Sequence, residues 1–483
     1  VNIVLFDEHG YDSFFKQIYN SLQISMQIQY RKQNTILGGV TMSNENLMSK
    51  RWVVAIMGTL LQVCLGTVYA WSFFQKPIMN ANNWTNTQAA WAFSLAIFSL
   101  GLAAAWGGMN LPKFGPRVLA MGGGFLFGIG YLIGGYALSV QSIPLLYIGY
   151  GVIGGCGLGL GYVTPVATAA KWFPDKKGFI TGMVVMGFGF GALVMSKVLA
   201  PMFMAQFDGN VSWVFYALGI VMLILTLPAG YFLMNPPAGF VPTGYTPPAT
   251  SAANQASQDA VTSKQCIVSL RFLLMWVVFF FNIIAGIMFI GFQSPMLQDL
   301  LKKAMDPATL TDPAVIASLA ASGATLIAIS SIFNGIGRFF WGGLSDKIGR
   351  VQTFRLILGS QFLVFIALMY VSNPFVFGVG VCYVLLCYGG GFGSMPSFVL
   401  DVFGAKRMPV VYGTILTAWG CAGIVGPQIV AFLKDNYAAQ AAQYTFITAA
   451  ALLMSGLLIT FALSNKRYEP KACCETKPLP AAD

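Results

Sequence analysis

Residues 333–350 read FNGIGRFFWGGLSDKIGR. Toward its N-terminal side the stretch continues an apolar run, near 317–343, that is long enough to cross a bilayer as a helix. Toward its C-terminal side it turns polar within a few residues, through Ser345, Asp346, Lys347 and Arg350. A single cation, Arg338, stands inside the apolar part, about two turns from that polar loop. The stretch has an echo earlier in the chain: residues 107–117 read GGMNLPKFGPR, and Lys113-Phe114-Gly115 precedes Lys347-Ile348-Gly349 by 234 residues. A second pair of segments repeats at nearly the same spacing. Pro165 to Gly182 and Pro396 to Gly413 each run from a proline through a polar loop to a glycine, and both end residues are 231 apart. Two landmarks with nearly one offset predict a chain built by duplication.

Apolar runs of about 20 residues recur near 52–74, 88–111, 117–138, 142–170, 178–203 and 211–234, then near 270–297, 317–343, 353–371, 374–400, 408–433 and 443–464. These twelve spans fall six on each side of residues 235–269, a stretch rich in Pro, Thr, Ser and Ala that cannot bury a core and reads as a linker. The composition agrees. Hydrophobic residues make up 56% of the 483 and charged residues 9%, against roughly 25% charged in soluble proteins. The expected architecture is an all-α membrane protein of twelve transmembrane helices in two pseudo-symmetric six-helix bundles, 50–234 and 270–465. Residues 1–49 are expected to form a cytoplasmic N-terminal segment, 235–269 a cytoplasmic linker and 466–483 a cytoplasmic tail.

A formal net charge of +11 can mark a nucleic-acid binder, but its placement points elsewhere. With both termini cytoplasmic, eighteen Lys and Arg fall in inner loops and tails, among them Lys50, Lys113, Lys171, Arg271, Arg355 and Lys466. Five, Lys76, Lys197, Lys302, Lys303 and Lys434, fall at the outer face. That asymmetry is the positive-inside pattern of a multi-pass protein of the cell membrane. The partner of the basic residues is then the lipid bilayer and no nucleic acid. The run Gly151–Gly161 contains the spacing of a nucleotide loop, yet no strand precedes it and it lies within a span, so helix packing accounts for it. No metal-ligand cluster, cofactor motif, nucleophile elbow or Walker loop is readable. The expectation is a monomer that is not an enzyme and uses no cofactor. Cys64, Cys156, Cys382, Cys387 and Cys421 lie in spans as small apolar residues, and Cys473-Cys474 is a weak metal or palmitoylation signal. Residues 1–41, with the lone histidine His9, match the rest poorly, and the expected native start lies near Met42 or Met48.

The loop GGLSDKIGR (342–350) resembles the signature loop of the major facilitator superfamily. The resemblance implies a conformational clamp of neighbouring helices by Asp346, Lys347 and Arg350 at the cytoplasmic face. The first-half copy departs by placing Pro112 where the Asp would be. Within the superfamily, GTVYAWSFFQKPI (66–78), GYVTPVATAAKWFPDKKGFITG (161–182) and FNGIGRFFWGGLSDKIGR (333–350) are similar to the oxalate/formate exchanger and monocarboxylate transporter branch. That likeness covers about residues 50–465 and implies two bundles that rock about a midplane site.

An ion inside a bilayer costs several kcal/mol, so Arg338 is a functional candidate by its position alone. No carboxylate lies mid-span to pair with it, which makes the missing anion the substrate. A guanidinium offers a planar fork that matches a carboxylate, and Asn334, one turn earlier, shares its helical face. The bland reading is that Arg338 snorkels toward the loop; the resemblance implies the substrate role. Tyr69, Tyr162, Tyr388 and Trp419 lie near the middle of their spans and carry polar tips. Relatives of this branch line their cavity with aromatics from these helices, although packing alone also explains such residues. Two departures bear on the substrate. The oxalate exchanger has a second cation, a Lys, on the segment that here reads LTAWG (416–420), where Trp419 takes its place. One cation balances one carboxylate, so the expected substrate is a small carboxylate anion of the formate, acetate, lactate or pyruvate class. Proton-coupled carriers of this kind often have an Asp where Asn334 stands, so exchange or facilitated diffusion is weighed beside symport. An oxalate/formate-type dicarboxylate exchanger and a carboxylate-sensing receptor on the same fold are the rival readings.

Overall fold

Eleven helices among the described residues are long and apolar enough to cross a membrane. The computed structural model describes residues 44–237, 239–245, 262–303, 305–404, 407–437 and 440–468. The expectations for residues 1–41, His9, Met42, linker residues 246–261 and Cys473-Cys474 fall outside these. No strand occurs among the described residues. That follows from the solvent: in lipid every backbone N–H and C=O must bond within its own segment, which an apolar run achieves as a helix. The helices are α1 (Asn46–Asn82), α2 (Asn86–Ser139), α3 (Ile143–Trp172), α4 (Phe179–Gln206), α5 (Val211–Tyr231), α6 (Leu270–Lys302), α7 (Pro313–Ile348), α8 (Arg350–Leu368), α9 (Pro374–Phe403), α10 (Val410–Asn436) and α11 (Ala441–Thr460). Short polar residues set several starts. Thr85 and Gln88 form a capping box for α2, while Asn210, Ser269, Asp312 and Asn373 accept the first free N–H groups of α5, α6, α7 and α9.

α2 is 54 residues long, which unbroken would extend about 80 Å, more than twice the ~30 Å hydrocarbon core. It is broken at Gly115, whose φ of 76° and ψ of 163° are non-helical, and Pro116 restarts the helix. The chain reverses there. Gly155 and Gly159 of α3 lie against Ala96 and Leu100 before the break, while Gly157 and Gly161 lie against Phe127 and Gly123 after it. α2 therefore holds two crossings, the second and third expected, and eleven helices supply twelve. Gly349, 234 residues on, closes α7 with φ 89° and ψ 153°. The duplication seen in sequence is thus repeated in the backbone, at a conformation that glycine alone adopts without strain.

Contacts divide the chain after Trp52. The first unit contributes only residues 44–52 to the described structure, the start of α1; the second, Val53–Asp483, holds the rest. Lipid offers no hydrophobic drive for helix pairing, so small residues that allow close van der Waals approach decide the contacts. Where the first six crossings meet the last six, glycine faces glycine twice. A methyl on Gly101 of α2 would stand 2.8 Å from the Gly420 Cα of α10, and one on Gly189 of α4 would stand 2.8 Å from the Gly335 Cα of α7. Large apolar side chains such as Leu102, Ile224 and Leu363 are at least half exposed, as befits surfaces that face lipid.

Candidate functional site

Glycines again position the side chains that matter. In Gly187-Phe188-Gly189-Phe190-Gly191 of α4, the three glycines lie against Thr59 of α1, Gly335 of α7 and Gly66 of α1 in turn. α4 is thereby wedged between α1 and α7, with the buried Phe188 ring projecting between them. On α1 a 3-10 turn at Thr67–Ala70 follows Gly66 and carries Tyr69. In Tyr388-Gly389-Gly390-Gly391-Phe392-Gly393 of α9, Gly389 and Gly393 let α7 approach at Asn334 and Arg338. Tyr388 and Phe392, four residues apart, share one face.

These elements assemble an aromatic box around Arg338. The guanidinium carbon lies 5.2 Å from the Phe392 ring centre and 5.9 Å from that of Phe188, within cation–π range. Trp419 packs on Phe392 at 4.8 Å, Tyr162 at 5.1 Å, Phe188 at 5.6 Å and Tyr69 at 6.2 Å, all edge to face. Tyr69 and Tyr388 join their hydroxyls at 2.6 Å, tying α1 to α9. Tyr412 of α10 stands beside Tyr162, within electrostatic reach of Arg338. Arg338 is 3% exposed and the six box residues no more than 2%; Phe392 and Trp419 are closed to solvent entirely.

The box holds one cation and several neutral hydroxyls, and no anion among the described residues. Arg338 Nη1 donates to the Val185 carbonyl of α4 at 2.8 Å; its Nε and Nη2 make no bond of ordinary geometry, although the Tyr162 hydroxyl stands beside the guanidinium and beside Tyr412, and Trp419 beside Tyr388. Among the described residues no carboxylate pairs with Arg338, and no other cation lies over these rings. Buried polar groups are normally bonded, and a buried cation without a counter-charge is costly. The arrangement leaves one buried positive charge without a counter-charge among the described residues.

The structure thus brings Arg338, Tyr69, Tyr162, Tyr388 and Trp419 together. Asn334 is placed differently: it packs against Gly389, and its Oδ1 has no partner. Phe188 and Phe392 were not singled out in the sequence, where 39 phenylalanines compete for notice. The usable signal was an aromatic set between glycines in mid-span.

At the end of the helices where α7 turns into α8, Arg350 binds Asp346 at 2.6 Å and Asp401 of α9 at 2.8 Å, and also donates to Ser345 Oγ. Lys347 is exposed. Asp401 was not anticipated; it lies 51 residues from Arg350 and looks like any loop acid. The first-half copy has a different chemistry, with Arg117 stacked 4.4 Å over the Tyr231 ring.

Twelve crossings, glycine-lined junctions between the first and last six, and a buried cation at that junction define a membrane carrier rather than an enzyme. Comparison with known proteins agrees. Residues 54–427 match the family model of the Major Facilitator Superfamily, and the chain belongs to that family as an integral, multi-pass membrane protein. It is similar to an oxalate:formate antiporter from Oxalobacter formigenes, 26% identical over 91% of this chain and 97% of the relative. It is also similar to apicoplast pyruvate carrier 1 of Toxoplasma gondii, 26% identical over 88% of this chain and 90% of the relative. Among solved structures, a D-xylose-proton symporter shares the fold with a TM-score of 0.63 at 14% identity, covering 86% of this chain and 99% of the symporter.

Proposed function

We propose that this protein carries small monocarboxylate anions, of the formate, acetate, lactate or pyruvate class, across the cell membrane by alternating access. The observation that supports this most is the guanidinium of Arg338, buried with no carboxylate beside it among the described residues and with Nε and Nη2 in no bond of ordinary geometry. A carboxylate on that edge makes two parallel charge-assisted bonds and cancels the charge. Tyr162 and Trp419 offer it neutral donors, Tyr69 and Tyr388 add the hydroxyl-linked wall, and Phe188 and Phe392 hold the fork in place. One cation in the box favours one carboxylate over two. Similarity to an oxalate:formate antiporter and a pyruvate carrier fits a small organic acid as cargo.

Asn334, a turn from Arg338, does not titrate, so exchange or facilitated diffusion is preferred to proton symport. In this reading residues 50–234 and 270–465 rock as two bundles of a monomer. The end bearing Asp346, Arg350 and Asp401 faces the cytoplasm, as do both termini. Uptake of labelled formate, acetate, lactate, pyruvate and oxalate into proteoliposomes tests it. Removing one partner of a buried charge pair costs about 2–5 kcal/mol, so Arg338→Ala is expected to lose uptake by roughly 30-fold or more, with Arg338→Lys in between. Saturable oxalate transport, with no movement of or competition by the monocarboxylates, would sink the proposal.

A further inference from the structure

At the end of the helices opposite Arg350, a carboxylate is already held between two cations. Asp299 of α6 binds Lys76 of α1 through Oδ1 at 3.0 Å and Lys434 of α10 through Oδ2. Lys76 also donates to Gln298 at 3.2 Å, and Gln298 is fixed in turn by donating to Ser294 at 3.0 Å. The three charged side chains are 16–43% exposed, so water reaches this group although the aromatic box is sealed. It spans the junction of the two halves, with α1 on one side and α6 and α10 on the other.

The charges there do not cancel, since two ammoniums share one carboxylate. Neighbouring acids are engaged elsewhere. Asp435 accepts from both the backbone and side chains of Asn86 and Thr87, at 2.6–3.1 Å. Asp306 accepts from Ala308 N at 3.0 Å and Asp312 from Ala314 N at 2.8 Å. Each satisfies a helix start, and among the described residues Asp299 alone is within ion-pair distance of Lys76 and Lys434, while Lys302 adds to the positive field on Lys76.

We infer that Lys76 and Lys434 form a carboxylate-binding site at this mouth of the transport path, which Asp299 fills from within the chain while the mouth is shut. The inference rests on the carboxylate reading of the Arg338 site. When α1 parts from α6 and α10, the Asp299 side chain and an incoming monocarboxylate compete for the same two ammoniums. The uncancelled charge draws the anion in; the return of Asp299 to both lysines releases it inward and closes the mouth behind it. The group is then an anion selector as well as a latch, and it favours substrates that carry the same chemical group as its own plug.

The test uses full-length Arg338→Ala protein in liposomes, which lacks the deep cation. Carbamylation of Lys76 and Lys434 by cyanate is followed by mass spectrometry in acetate and in equimolar chloride. Acetate is expected to slow both severalfold while leaving the exposed Lys302 and Lys303 unchanged. Adding Asp299→Asn removes the internal competitor and is expected to lower the half-protecting acetate concentration about tenfold, a gain of ~1.4 kcal/mol. Equal carbamylation in acetate and chloride overturns the inference, and does so in the single variant even if the double variant does not fold. Uptake by the same Arg338→Ala liposomes is a separate readout of the deep site. Lysine protection with undiminished uptake refutes the deep site alone; lost uptake without lysine protection refutes the mouth site alone.

Discussion

Arg338 is held by three neighbours: Nη1 is bonded to Val185, and the guanidinium carbon lies within cation–π range of the Phe188 and Phe392 rings. A cation–π contact is worth from about 1 kcal/mol when exposed to about 2 kcal/mol when desolvated. Phe392→Leu keeps the apolar volume roughly and removes the ring's quadrupole, so half-saturation in the uptake assay is expected to rise about fivefold to thirtyfold. Its maximal rate should change far less, and an unaltered half-saturation would deny the ring this role. The cation was legible in the sequence because a charge in an apolar run has no cheap explanation. Its ring partners were not, since in so aromatic a chain only the three-dimensional convergence of α4, α9 and α10 distinguishes Phe188 and Phe392 from packing. Asp299 was equally hidden: a carboxylate at a helix end looks ordinary until two lysines from distant helices arrive beside it.

The helices themselves were largely readable, because hydropathy reports the solvent each residue meets and lipid enforces one answer. What hydropathy did not report is how α2 turns. A loop was expected around 112–116; instead the reversal is made by Gly115 alone, with Pro116 opening the next helix. Gly115→Ala and Gly349→Ala each place a side chain at φ 76° or 89° and should cost about 1–3 kcal/mol, read as a lower thermal unfolding midpoint in detergent. Gly122, whose added methyl meets nothing within 4 Å, is the control, and Gly122→Ala should be neutral or slightly stabilising. Equal effects at the three positions would mean that backbone strain is not what these glycines relieve.

Between the halves, the contacts differ in kind from one end to the other. Halfway across, glycine pairs allow α2 to meet α10 and α4 to meet α7. At the Asp299 end the halves are fastened by charge, and Asp435 of α10 caps the first turn of α2. Loss of a cap costs about 0.5–2 kcal/mol, enough to raise the open population about two- to thirtyfold. Asp435→Ala should therefore speed hydrogen exchange at residues 86–89, with no change in the turn around Arg350, and uniform exchange across both ends would refute a local fastening. Such pairings join residues hundreds of positions apart, so no reading of local pattern reveals them. The single-residue reversal at Gly115 has a mechanical corollary. With a single residue between its arms, α2 is built as a crank: one arm bears on α10 where Gly101 meets Gly420, and the other bears on α3 and α5 where Gly123 meets Gly161 and Gly124 meets Thr226. Splicing a few flexible residues in after Gly115 would cost little loop-closure entropy, yet would turn that crank into a loose joint and uncouple the motion of one arm from the other.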